Sequence, residues 1–340
     1  MTGQIAEKTL PTYTRKDFLS STEPRWCPGC GDYSILNALT STWAGLGIPR
    51  HNFLAVSGIG CSSRLPYYLS TYGFHTLHGR APTVAIGAKL ANPDLSVWVI
   101  TGDGDGLSIG GNHLIHLIRR NADINVLIFN NEIYGLTKGQ ASPTSKNGIV
   151  TKSSPFGSID RPLNPLSLAL ASGATFVARA VDTNAEMLKQ VFQRASEHRG
   201  TSIVEIFTNC IVFNDGVFQP FENKKARDDA TVELVDGSPL FYGKNKDKVL
   251  VADGFTLKSS AVDSAQEPVV FDSKAQDPTL AEILARVSYD PLPLPVGVLR
   301  QVESEVFEQQ LLQQETDQIK SKGEGDLQKL FTAGDCWQVG

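Results

Sequence analysis

The chain has 340 residues, 41% of them hydrophobic and 20% charged, with a formal net charge of −5 at neutral pH. Such a length and composition belong to a globular chain with a large core, in one domain or two. The negative balance argues against nonspecific nucleic-acid binding, and no stretch approaches the roughly 18 uncharged apolar residues of a membrane span.

Residues 1–24 read as an N-terminal arm, and the first 21 lack the apolar core of a secretory signal. A cytoplasmic location is therefore expected, where clustered cysteines more often bind metals or catalyse than form disulfides. Residues 25–215 alternate two kinds of segment. Short apolar runs at 52–56, 97–101, 124–130 and 203–207 predict strands buried on both faces. Helices are predicted between them at 32–46, 82–91, 108–121, 163–172 and 184–197. That alternation predicts an α/β fold, a parallel sheet with helices on both faces. Residues 216–340 read as an irregular C-terminal extension that wraps a neighbour or covers a site, with a polar helix at 302–320.

The run VWVIT-GDGDG-LSIGGNH predicts strand, glycine turn and helix, a layout that offers backbone N–H groups to a phosphate. It is not the dinucleotide fingerprint: with Gly102 and Gly104 as the first glycines, the third would fall at Leu107. An Asp in the turn suits a metal. Magnesium takes hard oxygen ligands, phosphate oxygens among them. Asp103 offers a carboxylate, Asn131 an amide oxygen just past the next strand, and Ile133 a carbonyl. Parallel strands end on one edge, so these groups can meet at one cation.

Four of the five cysteines complete the picture. Cys27 and Cys30 form a CxxC pair, Cys61 follows in GIGCSSR, and Cys210 lies in TNC. Thiolates at this spacing serve zinc and iron–sulfur equally well. Cys336 stands apart near the C-terminus.

GDG followed at this distance by NN resembles the motif of thiamine-diphosphate enzymes. The wider pattern resembles the β subunit of 2-oxoacid:ferredoxin oxidoreductases. It rests on WCPGCGDY, GIGCSSR, HTLHGRAPTVAIGAKLANP, GDGDGLSIGGNH, NNEIYGLTKGQASPTS and TNC, covering about 25–215. The later LPLPVGVLRQVE resembles the tail of 2-oxoglutarate-type members. The resemblance implies a thiamine-diphosphate-binding fold and a magnesium ion held by Asp103, Asn131 and the Ile133 carbonyl. It implies one [4Fe–4S] cluster on Cys27, Cys30, Cys61 and Cys210. It also sets Ile59, Gly60, Cys61, His78, Gly102, Gly104, Asp105, Gly135 and Leu136 around the cofactor.

The implied activity is coenzyme A-dependent oxidative decarboxylation of 2-oxoglutarate to succinyl-CoA and CO₂, with single electrons passed to ferredoxin, a reaction that can also run in reverse. Pyruvate or another 2-oxoacid is the alternative substrate. A non-redox thiamine-dependent lyase with structural zinc is the alternative class, and a subunit that only transfers electrons is a third reading. A partner α subunit, in an αβ or (αβ)₂ assembly, is expected to supply the Glu facing the aminopyrimidine ring.

Arg64 is the candidate for a substrate carboxylate, because its planar fork suits bidentate pairing, and Leu136 could line the same pocket. His75 and His78 could reach a phosphate or the substrate. His113 and His116, spaced three apart on a helix, read as a half-buried face rather than a metal pair. Lys89 reads as structural, and Lys138 and Gln140 as ordering the loop after NN.

Overall fold

The computed structural model describes residues 11–337 and residue 339. The first ten residues of the predicted arm lie outside it. The strands in chain order are β1 Phe53–Ser57, β2 Tyr72–His75, β3 Ser96–Gly102, β4 Ile124–Asn130, β5 Phe176–Val181, β6 Ser202–Phe207, β7 Thr231–Glu233, β8 Phe241–Tyr242, β9 Lys248–Asp253, β10 Thr256–Ala261 and β11 Leu294–Gln301. The helices are α1 Asp32–Gly45, α2 Ala81–Ala91, α3 Asp103–Leu107, α4 Gly111–Arg120, α5 Pro165–Ala171, α6 Ala185–Glu197, α7 Gln219–Glu222, α8 Arg227–Ala230, α9 Thr279–Arg286, α10 Phe307–Lys322 and α11 Leu327–Phe331. Among the described residues, no helix is long and apolar enough to cross a membrane.

Eight strands form one sheet in the order β2-β1-β3-β4-β6-β5-β11-β7. The first six are mutually parallel, and β11 runs antiparallel to β5. The apolar runs alternate between two cores, as a side-chain period of two requires. Ala55, Trp98, Ile100, Leu127 and Phe129 join a core with Ile35, Leu39 and Trp43 of α1 and Leu188 and Phe192 of α6. Leu54, Val97, Val99, Val126 and Ile128 join a second core with residues of α2, α4, α5 and α9. Burial of each such side chain stabilises by about 1.5–3 kcal/mol. All seven residues of β4 are buried, which explains a run with no polar alternation.

Local chemistry sets the helix ends. Asn164 and Asn184 cap α5 and α6 through side-chain oxygens that accept from Ser167 N and Met187 N. Asn121 ends α4 in the left-handed region at φ 52°. The helix predicted over 108–121 begins at Gly111, because the glycine loop itself winds into α3 and the chain breaks at Ser108.

Three features go beyond the sequence reading. The arm is anchored: Phe18 is buried and packs edge-on against Trp43 and Phe53. The weakly patterned strands β2 and β5 join the sheet, β2 fully exposed and β5 interrupted by Arg179. The segment beyond 215 also enters it, since β11 pairs with β5 and β7 pairs with β11. The remaining strands there form a separate antiparallel sheet, β10-β9-β8.

Candidate active site

Strand order reverses between β1 and β3: the chain moves outward from β1 to β2, then returns to place β3 on the other side. Loops leaving a parallel sheet diverge at such a point and open a crevice at the strand ends. A cleft of about 120 Å³ lies there, between Ile59–Ser62 after β1, Gly102–Asp105 after β3 and Asn131–Thr137 after β4.

The two aspartates of the glycine loop do different work. Asp105 is buried, and its carboxylate is fully engaged. Oδ1 accepts from Ile59 N at 3.0 Å and Gly79 N at 2.7 Å and lies 2.6 Å from His78 Nδ1, while Oδ2 accepts from Thr101 Oγ1 at 2.6 Å. It ties three loops together, with both oxygens already engaged. A Cβ on Gly58 would stand 1.9 Å from Asp105 Oδ2, so the β1 loop can close on it only as glycine. Asp103 is equally buried, and its Oδ2 accepts from Thr144 Oγ1 at 2.7 Å. Burial pushes its carboxyl up to about 6, against the pull of hydrogen bonds from Ser142 and Thr144. A buried carboxylate so disfavoured gains most from a bound cation.

Thr144 Oγ1 also stands 2.9 Å from Asn130 Oδ1, and Asn130 Nδ2 donates to Glu205 Oε1 at 2.8 Å. The first Asn of the NN pair is thus a buried strut. The second, Asn131, faces the cleft, and its Oδ1 accepts from Ile133 N at 3.2 Å. Tyr134 closes the floor, its hydroxyl donating to Gly104 O at 3.1 Å. A Cβ on Gly104 would sit 2.2 Å from that ring, so only glycine fits. Carboxylate, amide oxygens and a helix start at the sheet edge suit a magnesium diphosphate.

The four predicted cysteines gather on one side of this cleft. A Cβ on Gly135 would lie 3.4 Å from Cys210 Sγ and 3.6 Å from Cys61 Sγ, so both sulfurs border the loop that follows NN. The CxxC turn closes through Cys30 N donating to Cys27 O at 3.0 Å, and Trp26 Nε1 donates to Cys61 O at 2.7 Å. Burial, and next the charge of Asp32, push the Cys61 thiol up to about 12, with smaller contributions from Cys210 and Cys27. Cys30 shifts the same way for the same first two reasons, then Cys61 and Cys210. Among the described residues, no three His, Cys, Asp or Glu side chains converge tightly enough for a single ion. Asp32 lies between cysteines and cleft, and burial and the Asp182 charge push it up to about 7.

Ile59, Gly60, Cys61, His78, Gly102, Asp103, Gly104, Asp105, Asn131, Ile133, Gly135 and Leu136 all line the cleft. Arg64 does not: it sits on the 3₁₀ segment Ser62–Tyr68, where its charge reaches Cys61 but its side chain forms no part of the cleft wall. His75 Nδ1 lies 3.0 Å from Ser63 O, outside the wall. Lys89 is a buried structural cation, 3.0 Å from Asp123 and 2.8 Å from Leu95 O. His113 and His116 ride α4, away from the cleft. Gln140 donates to Thr137 O, and Lys138 is exposed at φ 76°. Cys336 is exposed in the distal C-terminal segment. Sequence reasoning missed Thr144 and Tyr134. Neither carries a signal by residue type, and only folding back of the loop after NN brings Thr144 to Asp103.

The thiamine pyrophosphate enzyme family, C-terminal TPP binding domain, matches residues 58–206. The "2-oxoglutarate oxidoreductase subunit KorB" of Mycobacterium tuberculosis is 47% identical over 329 residues, 95% of this chain and 88% of that one. The "2-oxoacid:ferredoxin oxidoreductase 1, subunit beta" of Aeropyrum pernix is 48% identical over 190 residues, 56% of this chain and 60% of that one. A solved 2-oxoglutarate:ferredoxin oxidoreductase from Magnetococcus marinus, with 2-oxoglutarate, coenzyme A and succinyl-CoA bound, superposes with a TM-score of 0.77 at 33% identity, covering 96% of this chain and 98% of that one. With identity sustained over almost the whole chain and a thiamine-type cleft at the switch point of its sheet, the chain belongs to the β-subunit family of the 2-oxoacid:ferredoxin oxidoreductases.

Proposed function

We propose that the chain is the cofactor-binding β subunit of a 2-oxoglutarate:ferredoxin oxidoreductase, which converts 2-oxoglutarate, coenzyme A and oxidised ferredoxin to succinyl-CoA, CO₂ and reduced ferredoxin. The observation that carries this reading is the shared loop: Asn131 faces the cofactor cleft, and four residues later Gly135 borders two cysteine sulfurs. Such closeness suits removal of electrons one at a time. Relatives bearing the 2-oxoglutarate name support the substrate.

In this reading Asp103, Asn131 and the Ile133 carbonyl hold Mg²⁺ on the diphosphate, and Thr144 fixes the Asp103 rotamer. Bound here, thiamine diphosphate would supply the electron sink for the carbon left after decarboxylation. Asp105 holds His78 with its Nδ1 inward, which leaves Nε2 for the diphosphate or the substrate. Cys27, Cys30, Cys61 and Cys210 hold a [4Fe–4S] cluster, and exposed Cys27 marks its solvent side, where ferredoxin would approach. Leu136 gives the cleft an apolar lip. Arg64 biases the Cys61 side of the site, with a role in receiving the distal carboxylate. A larger rise in KM for 2-oxoglutarate than for pyruvate in Arg64→Ala supports that role, and equal changes remove it.

The deciding experiment is anaerobic EPR of the complex purified with its α partner, adding 2-oxoglutarate and then coenzyme A with no chemical reductant. An organic radical followed by a reduced-cluster signal is expected. A cluster signal with dithionite but none with 2-oxoglutarate would move the reading to pyruvate or another 2-oxoacid. Zinc in place of iron and sulfide would overturn it in favour of the non-redox lyase.

A further inference from the structure

A second cavity, of about 430 Å³, lies across the NN loop from the cofactor cleft, beneath the ends of β4, β5 and β6. That is the size range of a small-molecule site. Its floor is aromatic: Phe207 and Phe218 stack with centroids 4.2 Å apart, and Phe221 meets Tyr289 edge-on at 5.2 Å. Its charge is cationic. Arg179, Lys146 and Arg286 line it, against Glu132 and Glu205. Glu205 is already engaged, accepting from Arg179 Nε at 2.8 Å and from Asn130 Nδ2 at 2.8 Å.

Arg179 is the telling group. It is 3% exposed, and its Nη1 has no hydrogen-bond partner among the described residues. A buried guanidinium with an unused donor calls for an acceptor. Its charge is paired with Glu205, but the guanidinium lies over the Phe207 ring, 5.4 Å from the centroid, so the unused Nη1 donor and the aromatic floor adjoin. Lys146 and Arg286 are exposed, as befits an entrance.

We infer that this cavity is a second ligand site, for a small organic anion with a flat ring, such as an aryl carboxylate. Phe207 is sandwiched between Phe218 and the Arg179 guanidinium, so the ring lies against Phe218 and Phe221 beside it, and the carboxylate meets the three cations. Thr144 belongs to this wall and also contacts Asp103, so an occupant sits one side chain from the cofactor cleft. The inference is independent of the reaction proposed above.

The test uses ¹⁹F NMR on the assembled complex, saturated with thiamine diphosphate and Mg²⁺. Saturable broadening is expected for 4-fluorobenzoate, and binding at least tenfold weaker for fluoroacetate and for 4-fluorobenzyl alcohol. The double variant Lys146→Gln, Arg286→Gln should keep basal turnover and bind 4-fluorobenzoate at least tenfold more weakly, and Phe218→Ala should also weaken it. Absence of saturable broadening, affinity unchanged in the double variant, equal binding of fluoroacetate, or displacement of the probe by 2-oxoglutarate would each overturn the inference.

Discussion

Asp103 and Asp105 share one glycine loop, yet Asp105 is a structural clamp, and Asp103 is the one we propose as the magnesium ligand. Asp105→Asn replaces an acceptor of backbone N–H groups with an amide that can satisfy only part of them. We expect it to destabilise the chain by roughly 2–4 kcal/mol and to weaken cofactor binding, read by thermal melting and calorimetry. Asp103→Asn should leave the cofactor-free melting temperature nearly unchanged while removing Mg²⁺-dependent binding of thiamine diphosphate. If the two variants behave alike, the division of labour is wrong. That division was not legible in the sequence, because both residues are Asp between glycines and the donors that claim Asp105 come from residues 59, 78, 79 and 101. A second residue-scale effect concerns His198. It is buried against Phe176, with Nε2 2.8 Å from Thr175 Oγ1, and burial pushes its pKa down to about 4. Between that value and about 6.5 the unfolded chain binds a proton that the folded chain does not. Stability contributed by the neutral ring is therefore present above pH 6.5 and lost as the pH falls through 4, by on the order of 3 kcal/mol. Urea midpoints measured across that window should fall less steeply in His198→Gln than in the parent.

At the scale of elements, the buried strands β1, β3, β4 and β6 and the helices between them were legible because burial on both faces demands continuous apolar runs. Strand β5 was obscured by Arg179, whose charge is matched by Glu205 directly opposite it on β6. Such a pair is invisible until the register is known. Strand β11 was hidden by Pro295 and Gly297, and its antiparallel pairing closes the sheet beside β5. Ending the chain after residue 290 would remove buried Leu294, Val296, Val298 and Leu299. At about 1.5–3 kcal/mol each, their loss rivals the whole stability of a domain, about 5–15 kcal/mol. Ending it after residue 310 removes only exposed residues among those described. The first truncation should abolish cooperative unfolding by circular dichroism, and the second should retain it. Retention in both would show that β11 is dispensable.

At the scale of the whole molecule, the cleft wall carries three carboxylates, Asp32, Asp103 and Asp105, and no Lys or Arg. On the reading proposed above, the cations for a dicarboxylate substrate come from Mg²⁺, from neighbours such as Arg64 and from the α partner. The edge strand β2 beside the cleft is exposed at every residue, including Tyr72 and Phe74, an edge that other chains commonly cover. We expect the isolated chain, reconstituted with cofactor and cluster, to bind thiamine diphosphate without turning over 2-oxoglutarate, and the α subunit to restore turnover. Turnover by the isolated chain would remove the need for a partner. The sequence by itself determined the parallel α/β architecture, the diphosphate loop and the four cysteines, because these depend on local periodicity and on residue types with few alternative uses. Only the tertiary structure decided which aspartate clamps the loops, that Thr144 holds the other, that Arg64 stands outside the cleft wall, and that the segment beyond 215 joins the sheet. Each of these depends on groups distant in sequence meeting at one place, and local residue preferences carry no record of such meetings.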